Sequence, residues 1–242
     1  MTSIIIENMS VSFPLLGMKI RKGKTGNQVT NGPGGLHQLS AIKDISLTLT
    51  SGDVLGLIGR NGSGKSTLLK TMGGIYHPSS GSITVDGHVS PMYNIGLGMR
   101  PDSTGRRNIE LRGLVLGKSM REIKARMDEI IEFSELGTHI DLPIRIYSQG
   151  MTMRLAFSIA TAFSPEILLL DEWIGAGDAA FRKKASERMK SLVQESAITV
   201  LASHNLQLLK ENCTKILWLR DGEIHMLGKT EDVIPQYRQS FS

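Results

Sequence analysis

The nine residues Gly59-Arg60-Asn61-Gly62-Ser63-Gly64-Lys65-Ser66-Thr67 constrain this chain more than any other stretch, because they fit the pattern G-x-x-x-x-G-K-[ST]. A group of phosphate oxygens needs several donors converging at short range, and glycine lets bare backbone N–H groups approach without a Cβ in the way. The apolar run at residues 54–58 ahead of the loop predicts a central strand, and the run at residues 68–72 after it predicts a helix beginning near Lys65. Such a helix turns its N-terminal amides and the positive end of its dipole toward the same phosphates. On this reading Lys65 reaches the β- and γ-phosphates of a nucleotide, and the Ser66 hydroxyl ligates Mg²⁺.

A second run supports the first. Ile167-Leu168-Leu169-Leu170-Asp171-Glu172 reads as a buried strand ending in two acids. A carboxylate at such a tip lies beside a phosphate loop, where Asp171 can hold Mg²⁺ and Glu172 can orient or deprotonate an attacking water. Without the loop, the same two acids would be no more than a solvated strand end.

Around these motifs the chain reads as one domain over residues 1–242. Residues 4–13 are expected to be strand, and residues 17–35 an inserted loop rich in Gly, Lys and Asn. Ile45, Leu47 and Leu49 alternate with polar residues, the pattern of a half-buried strand. These strands and residues 54–58 are expected to share one sheet whose tips lead into the glycine loop. The middle, about residues 91–163, reads as helical. Ser119 and Glu122 form a capping box there, followed by Met120, Ile123, Met127, Ile130, Ile131 and Leu136 at helical spacing. Strands at 167–170 and 198–202 flank a helix near 181–196, as βαβ units of a parallel sheet require. Asp221-Gly222 between two apolar runs marks a hairpin.

Composition narrows the class without deciding it. The 242 residues carry 40% hydrophobic residues and a net charge of +5, enough for one sizeable core. No run of about 18 apolar residues occurs, and the first residues do not have the layout of a secretory signal. The single cysteine, Cys213, fits a reducing compartment, so a cytosolic location is expected. The basic residues cluster near Lys19–Lys24 and between Arg100 and Arg126. A nucleic-acid partner or an anionic membrane face would suit that excess, and so would plain solvated surface.

Several further residues, taken together, resemble the ABC ATPase family from about residue 4 to residue 228. Tyr147-Ser148-Gln149-Gly150-Met151 stands where that family carries its signature loop, LSGGQ, although only Ser148 and Gly150 match the common form. Asp178 stands at the position of the D-loop aspartate, and His204, after Ser203, at that of the switch histidine. The resemblance implies an α/β P-loop fold, an ABC ATPase domain with an antiparallel β subdomain and a helical subdomain. It implies a head-to-tail dimer of two copies that sandwiches ATP, with Ser148, Gln149 and Gly150 acting in trans on the γ-phosphate. It gives Phe13 the role of stacking on adenine, and Glu172 and His204 the role of acting on water. One departure is clear: the family's glutamine between the two loops is missing, since no glutamine occurs from Lys43 to Tyr147. Asn94 or Ile95 stands in its place.

That departure, with Gly96-Leu97-Gly98-Met99-Arg100-Pro101 and Thr104-Gly105-Arg106-Arg107-Asn108-Ile109, is similar to the bacterial polysaccharide exporters and their TGRENI stretch. Ser148-Gln149-Gly150-Met151 resembles their YSSGM signature. Asp171-Glu172-Trp173 with Gly177-Asp178-Ala179 and Phe181 resembles their DEW…GDxxF run. The resemblance implies export of a lipid-linked polysaccharide, driven from the cytoplasmic face of the bacterial inner membrane by a peripheral subunit. It implies two copies of a membrane-spanning permease as partners, ATP and Mg²⁺ as cofactors, and no nucleic acid. Some relatives carry a carbohydrate-binding domain after the ATPase, and none is expected in a chain that stops at Ser242. The rival expectation is a soluble ABC ATPase acting on nucleic acid or ribosomes.

Overall fold

A computed structural model describes residues 1–15, 29–31, 37–93, 95, 96, 98–172 and 179–240. The backbone divides into two compact units, the first formed by residues 1–89, 166–172 and 196–242, the second by residues 90–165 and 173–195.

The strands of the first unit fall into two sheets. Strands β1 (Ser3–Pro14), β2 (Val29–Asn31), β3 (His37–Thr50) and β5 (Ser80–Asp86) form an antiparallel sheet in the order β2-β3-β1-β5. Ile4, Ile6, Met9 and Val11 on β1 and Ile45, Leu47 and Leu49 on β3 are buried, while their neighbours reach solvent. That is the one-sided burial of an antiparallel layer. Strands β4 (Val54–Ile58), β6 (Val89–Pro91), β7 (Ile167–Asp171), β8 (Ile198–Ala202), β9 (Lys215–Arg220) and β10 (Glu223–Lys229) form a second sheet in the order β10-β9-β4-β8-β7-β6. Here β4 runs parallel to both β8 and β9, and β7 runs parallel to β8. Every residue of β8 and all but the first of β4 is buried, as strands covered on both faces must be.

The single sheet expected from the first three strands is therefore two sheets. Strands β1 and β3 keep one wet face and pair with each other, while β4, buried on both faces, pairs with β8 and β9. Helices α1 (Lys65–Met72), α6 (Leu206–Asn212) and α7 (Thr230–Gln239) complete the unit. The β9–β10 hairpin turns at Asp221 and Gly222, with φ of 53° and 86°, the left-handed pair a two-residue turn needs. Cys213 is buried beside this sheet, and burial pushes its thiol up to about 12.

The second unit is helical: α2 (Gly105–Val115), α3 (Met120–Ser134), α4 (Gln149–Ala160) and α5 (Ala179–Glu195). Each of the first three starts on a hydroxyl cap, from Thr104, Ser119 and Ser148, and the box at Ser119 and Glu122 forms in full. Ile109, Ile123, Met127, Ile130, Leu155 and Ile159 build its core. The helical stripe read from the sequence begins with α3 but runs past its end. Met120 is 36% exposed, and Glu135 enters the left-handed region at φ 55°, so Leu136 is buried from beyond the helix end. Helix α5 belongs with this unit, joined through Phe133, Phe157 and Phe181, whose ring centroids lie 5.7 to 6.1 Å apart. Among the described residues no helix is long and apolar enough to cross a membrane.

Candidate nucleotide site

The glycine loop follows β4 directly and enters α1 through Gly64, whose φ is 107°. A Cβ at Gly64 would lie 2.8 Å from the Ala41 carbonyl oxygen, so the loop presses its bare backbone against β3. Residues 61–67 line a cleft of about 460 Å³ together with Leu39, Ala41, Asp171, Glu172 and His204. The loop, both acids and the histidine thus meet in one place. Gly59 and Arg60 lie outside that lining. Arg60 instead borders a smaller hollow of about 280 Å³ with Trp218, Arg220 and Tyr237.

Lys65 is buried, and its Nζ donates to the carbonyls of Gly59 at 2.8 Å and Arg60 at 3.3 Å. Burial holds its ammonium below the ordinary lysine range, against the opposing pull of Asp171 and Glu172. Asp171 ends β7 half-buried, and Ser66 stands exposed in the first turn of α1. An alcohol and a carboxylate lining one cleft are hard oxygen donors, which suits Mg²⁺ rather than a softer metal.

Glu172 is the strained residue of the site, with φ 72°. Its N–H donates to the Ala202 carbonyl at 2.9 Å, which pins it to the end of β8. Its carboxylate accepts the Ser203 hydroxyl at 2.9 Å and the His204 N–H at 3.2 Å, and the His204 Nε2 lies 3.8 Å away. Ser203 was not singled out by the sequence motifs. The available signal was its place directly after β8, the strand beside β7.

The remaining predicted residues lie elsewhere. Phe13 does not line the cleft. Its ring meets Tyr76 edge-on at 4.9 Å, and its register partner is Leu39, which does line it. Ser148, Gln149 and Gly150 open α4 in the second unit, where the Ser148 hydroxyl accepts the Met151 N–H at 3.2 Å. Ser148 and Gly150 border a hollow of about 350 Å³ with His139 and Arg154. Ile95 is only 7% exposed, and its carbonyl accepts from Arg112 at 3.2 Å. Asn94, Asp178 and most of the insertion at residues 17–35 lie outside the described residues.

A strand–loop–helix cleft with acids at the tip of the next strand but one, across β8, defines a P-loop nucleotide-binding protein. More narrowly, this chain belongs to the ABC transporter family, whose sequence profile matches residues 42–175. It is 45% identical over 232 residues to the O-antigen export system ATP-binding protein RfbE of Yersinia enterocolitica, covering 93% of this chain and 97% of that protein. The O-antigen export system ATP-binding protein RfbB of Klebsiella pneumoniae is 39% identical over 202 residues, with coverage of 84% and 82%. The teichoic acids export ATP-binding protein TagH of Lactococcus lactis is 36% identical over 233 residues, which are 96% of this chain and 50% of TagH. A solved ATP binding subunit of an ABC transporter superposes with a TM-score of 0.71 at 19% identity, covering 97% and 93% of the two chains. A dimeric ATP-binding cassette bound to ADP and Pi gives 0.68 at 20% identity, covering 94% and 98%. The fold is that of an ABC ATPase cassette.

Proposed function

We propose that this chain hydrolyses ATP to drive export of a lipid-linked polysaccharide, as one of two cassettes bound beneath two copies of a membrane-spanning permease. The observation that carries this reading is the single cleft shared by residues 61–67, Asp171, Glu172 and His204. The substrate class rests on relatives named for O-antigen and teichoic acid export, two glycans of that kind. The same relatives give no support to the rival role on nucleic acid or ribosomes.

The chemistry follows from the side chains. Amides of the loop and of the first turn of α1 receive the phosphates, with the helix dipole behind them. Lys65 now donates to neutral carbonyls, and phosphate oxygens are stronger, charged acceptors that would draw it off. Ser66 and Asp171 would hold Mg²⁺, which when bound neutralises charge on the phosphoryl oxygens. Glu172 orients the attacking water and takes its proton, and His204 contacts the γ-phosphate. Phe13 stacks on adenine from beside Leu39.

Ser148, Gln149 and Gly150 act across a head-to-tail dimer, presenting the N-terminus of α4 to the nucleotide of the other copy. Asp178 stands at that same contact. The cassette sits peripherally on the cytoplasmic face of the cell membrane.

Glu172→Gln tests the assignment. Removing the base should lower turnover by about 10²- to 10⁴-fold while Mg-ATP binding persists. Stable dimers should then accumulate in Mg-ATP on size-exclusion chromatography, and surface polysaccharide should vanish from cells relying on the variant. Brisk hydrolysis by Glu172→Gln would sink the reading.

A further inference from the structure

We propose that the β9–β10 turn is a positioning element for the phosphate loop and that Gly222, which does not line the cleft, sets the cleft's width. The inference rests on the nucleotide-binding reading above. Three stretches of main chain meet at this point. The Gly222 N–H donates to the Ser63 carbonyl at 3.2 Å, and the Gly222 carbonyl accepts the Lys43 N–H at 2.8 Å. The Lys43 ammonium lies 3.4 Å from Glu223, the next residue of the hairpin. One glycine therefore links the phosphate loop to β3, the strand whose Leu39 and Ala41 line the other part of the cleft.

The tie at Ser63 matters because its side chain supplies none. Ser63 is 4% exposed, and its hydroxyl has no hydrogen-bond partner among the described residues. Its N–H bonds within the loop, to Arg60 at 3.0 Å. At Ser63 the hold from outside the loop is the bond from Gly222 to its carbonyl, while Tyr237 meets the loop at its other end, at the Gly59 backbone.

No other residue fits at Gly222. Its φ is +86°, and a Cβ there would come within 2.8 Å of the Ala41 oxygen and 3.2 Å of the Ala41 carbonyl carbon. The same Ala41 oxygen would meet a Cβ on Gly64 at 2.8 Å. A carbonyl in a strand cannot swing aside like a side chain. An added methyl must push β3 away from the loop or pull the turn off Ser63. Either movement changes the spacing between the two sides of the cleft.

The test is titration of the full chain with Mg-ATP, alongside thermal unfolding. Gly222→Ala should bind about tenfold more weakly, the scale of loss expected from a sub-ångström misplacement of binding groups. Gly222→Asn should be equally weak, because asparagine tolerates a positive φ but still carries the Cβ. Asp221→Gly, in the same turn, should stay within about twofold of wild type. Unchanged binding by Gly222→Ala, recovery in Gly222→Asn or an equal loss in Asp221→Gly would each overturn the proposal.

Should Gly222→Ala fail to fold, amide hydrogen exchange on the wild-type chain decides. Mg-ATP must slow exchange at the amides of Lys43 and Gly222, and no change there refutes the link. A wild type that ignores Mg-ATP sinks the nucleotide reading as well. A wild type that binds, beside a Gly222→Ala that binds equally, sinks only the positioning role.

Discussion

In the first unit the functional loop is tied to its neighbours mainly through main chain, whereas in the second the stretch ahead of α4 adds side-chain ties to main-chain bonds from Ile144 to Ser103 at 3.0 Å and from Arg145 to Pro101 at 2.9 Å. The phosphate loop is tied through the Gly222 amide, with the Lys65 ammonium on two of its carbonyls and the Tyr237 hydroxyl on the Gly59 backbone. Ahead of α4, the Tyr147 hydroxyl donates to the His139 carbonyl, Arg145 pairs with Asp102 at 3.0 Å, and the Ser148 hydroxyl caps the helix. The contrast follows from the work each must do. A loop that wraps phosphate must keep its own amides free and aligned, so it is braced from behind by other amides and carbonyls. A helix start that, on the proposed function, faces a second copy can use exposed side chains, each of modest strength.

The most severe test of this contrast is Lys65→Ala. It should lower hydrolysis by about 10²- to 10³-fold while moving the melting temperature only modestly, because the two bonds its Nζ gives up to loop carbonyls are offset in part by relief of a buried ammonium. A large drop in melting temperature would break the comparison. Next comes Ser148→Ala, which removes a cap and should cost about 1 kcal/mol in unfolding titrations. Mg-ATP binding to the single chain should be unchanged, while turnover by the assembled pair should fall by about tenfold or more. Equal loss of binding would place Ser148 in the wrong unit's chemistry.

The smallest effect sharpens the comparison from inside the first unit, at a side-chain tie. Asp53 accepts the Thr50 N–H at 2.9 Å and pairs with Lys215 at 2.6 Å. Burial pushes its carboxyl upward, but Lys215 and Thr50 together outweigh that and hold it below the ordinary value of 3.8. A depressed carboxyl contributes stability above its ordinary value and loses it as pH falls toward the folded one. Wild type should therefore lose that contribution below about pH 4, and Asp53→Asn should remove less than about 1 kcal/mol at neutral pH and flatten the acid limb. Acid melts of both proteins that run parallel would show that the pair contributes nothing.

What the sequence disclosed tracks how local each feature is. The glycine loop, the hairpin at Asp221-Gly222 and the box at Ser119 and Glu122 are written in a few adjacent residues, and each forms where it was read. The apolar tip of β7 was legible for the same reason. Strand partnership was not. Alternation told which face of β1 and β3 is wet, but nothing within either strand says that β5 joins them or that β4 belongs to another sheet. The end of α3 lies earlier than the apolar stripe suggests, because Leu136, five residues after Ile131, is off the helical face and the backbone turns at Glu135. Ser203 is named beside His204 but given no role of its own, because its partner Glu172 lies 31 residues away and meets it only when β7 and β8 pair.

One buried ring offers a use beyond its packing. Trp218 is 7% exposed, with His225 at 4.1 Å and Tyr237 at 5.1 Å. Its register partner is Ile58, the residue immediately before Gly59. Once Trp173 is replaced by Phe, this indole is the chain's sole tryptophan chromophore. Its emission then becomes a label-free optical reporter, reading events at the mouth of β4 in real time from behind rather than from within.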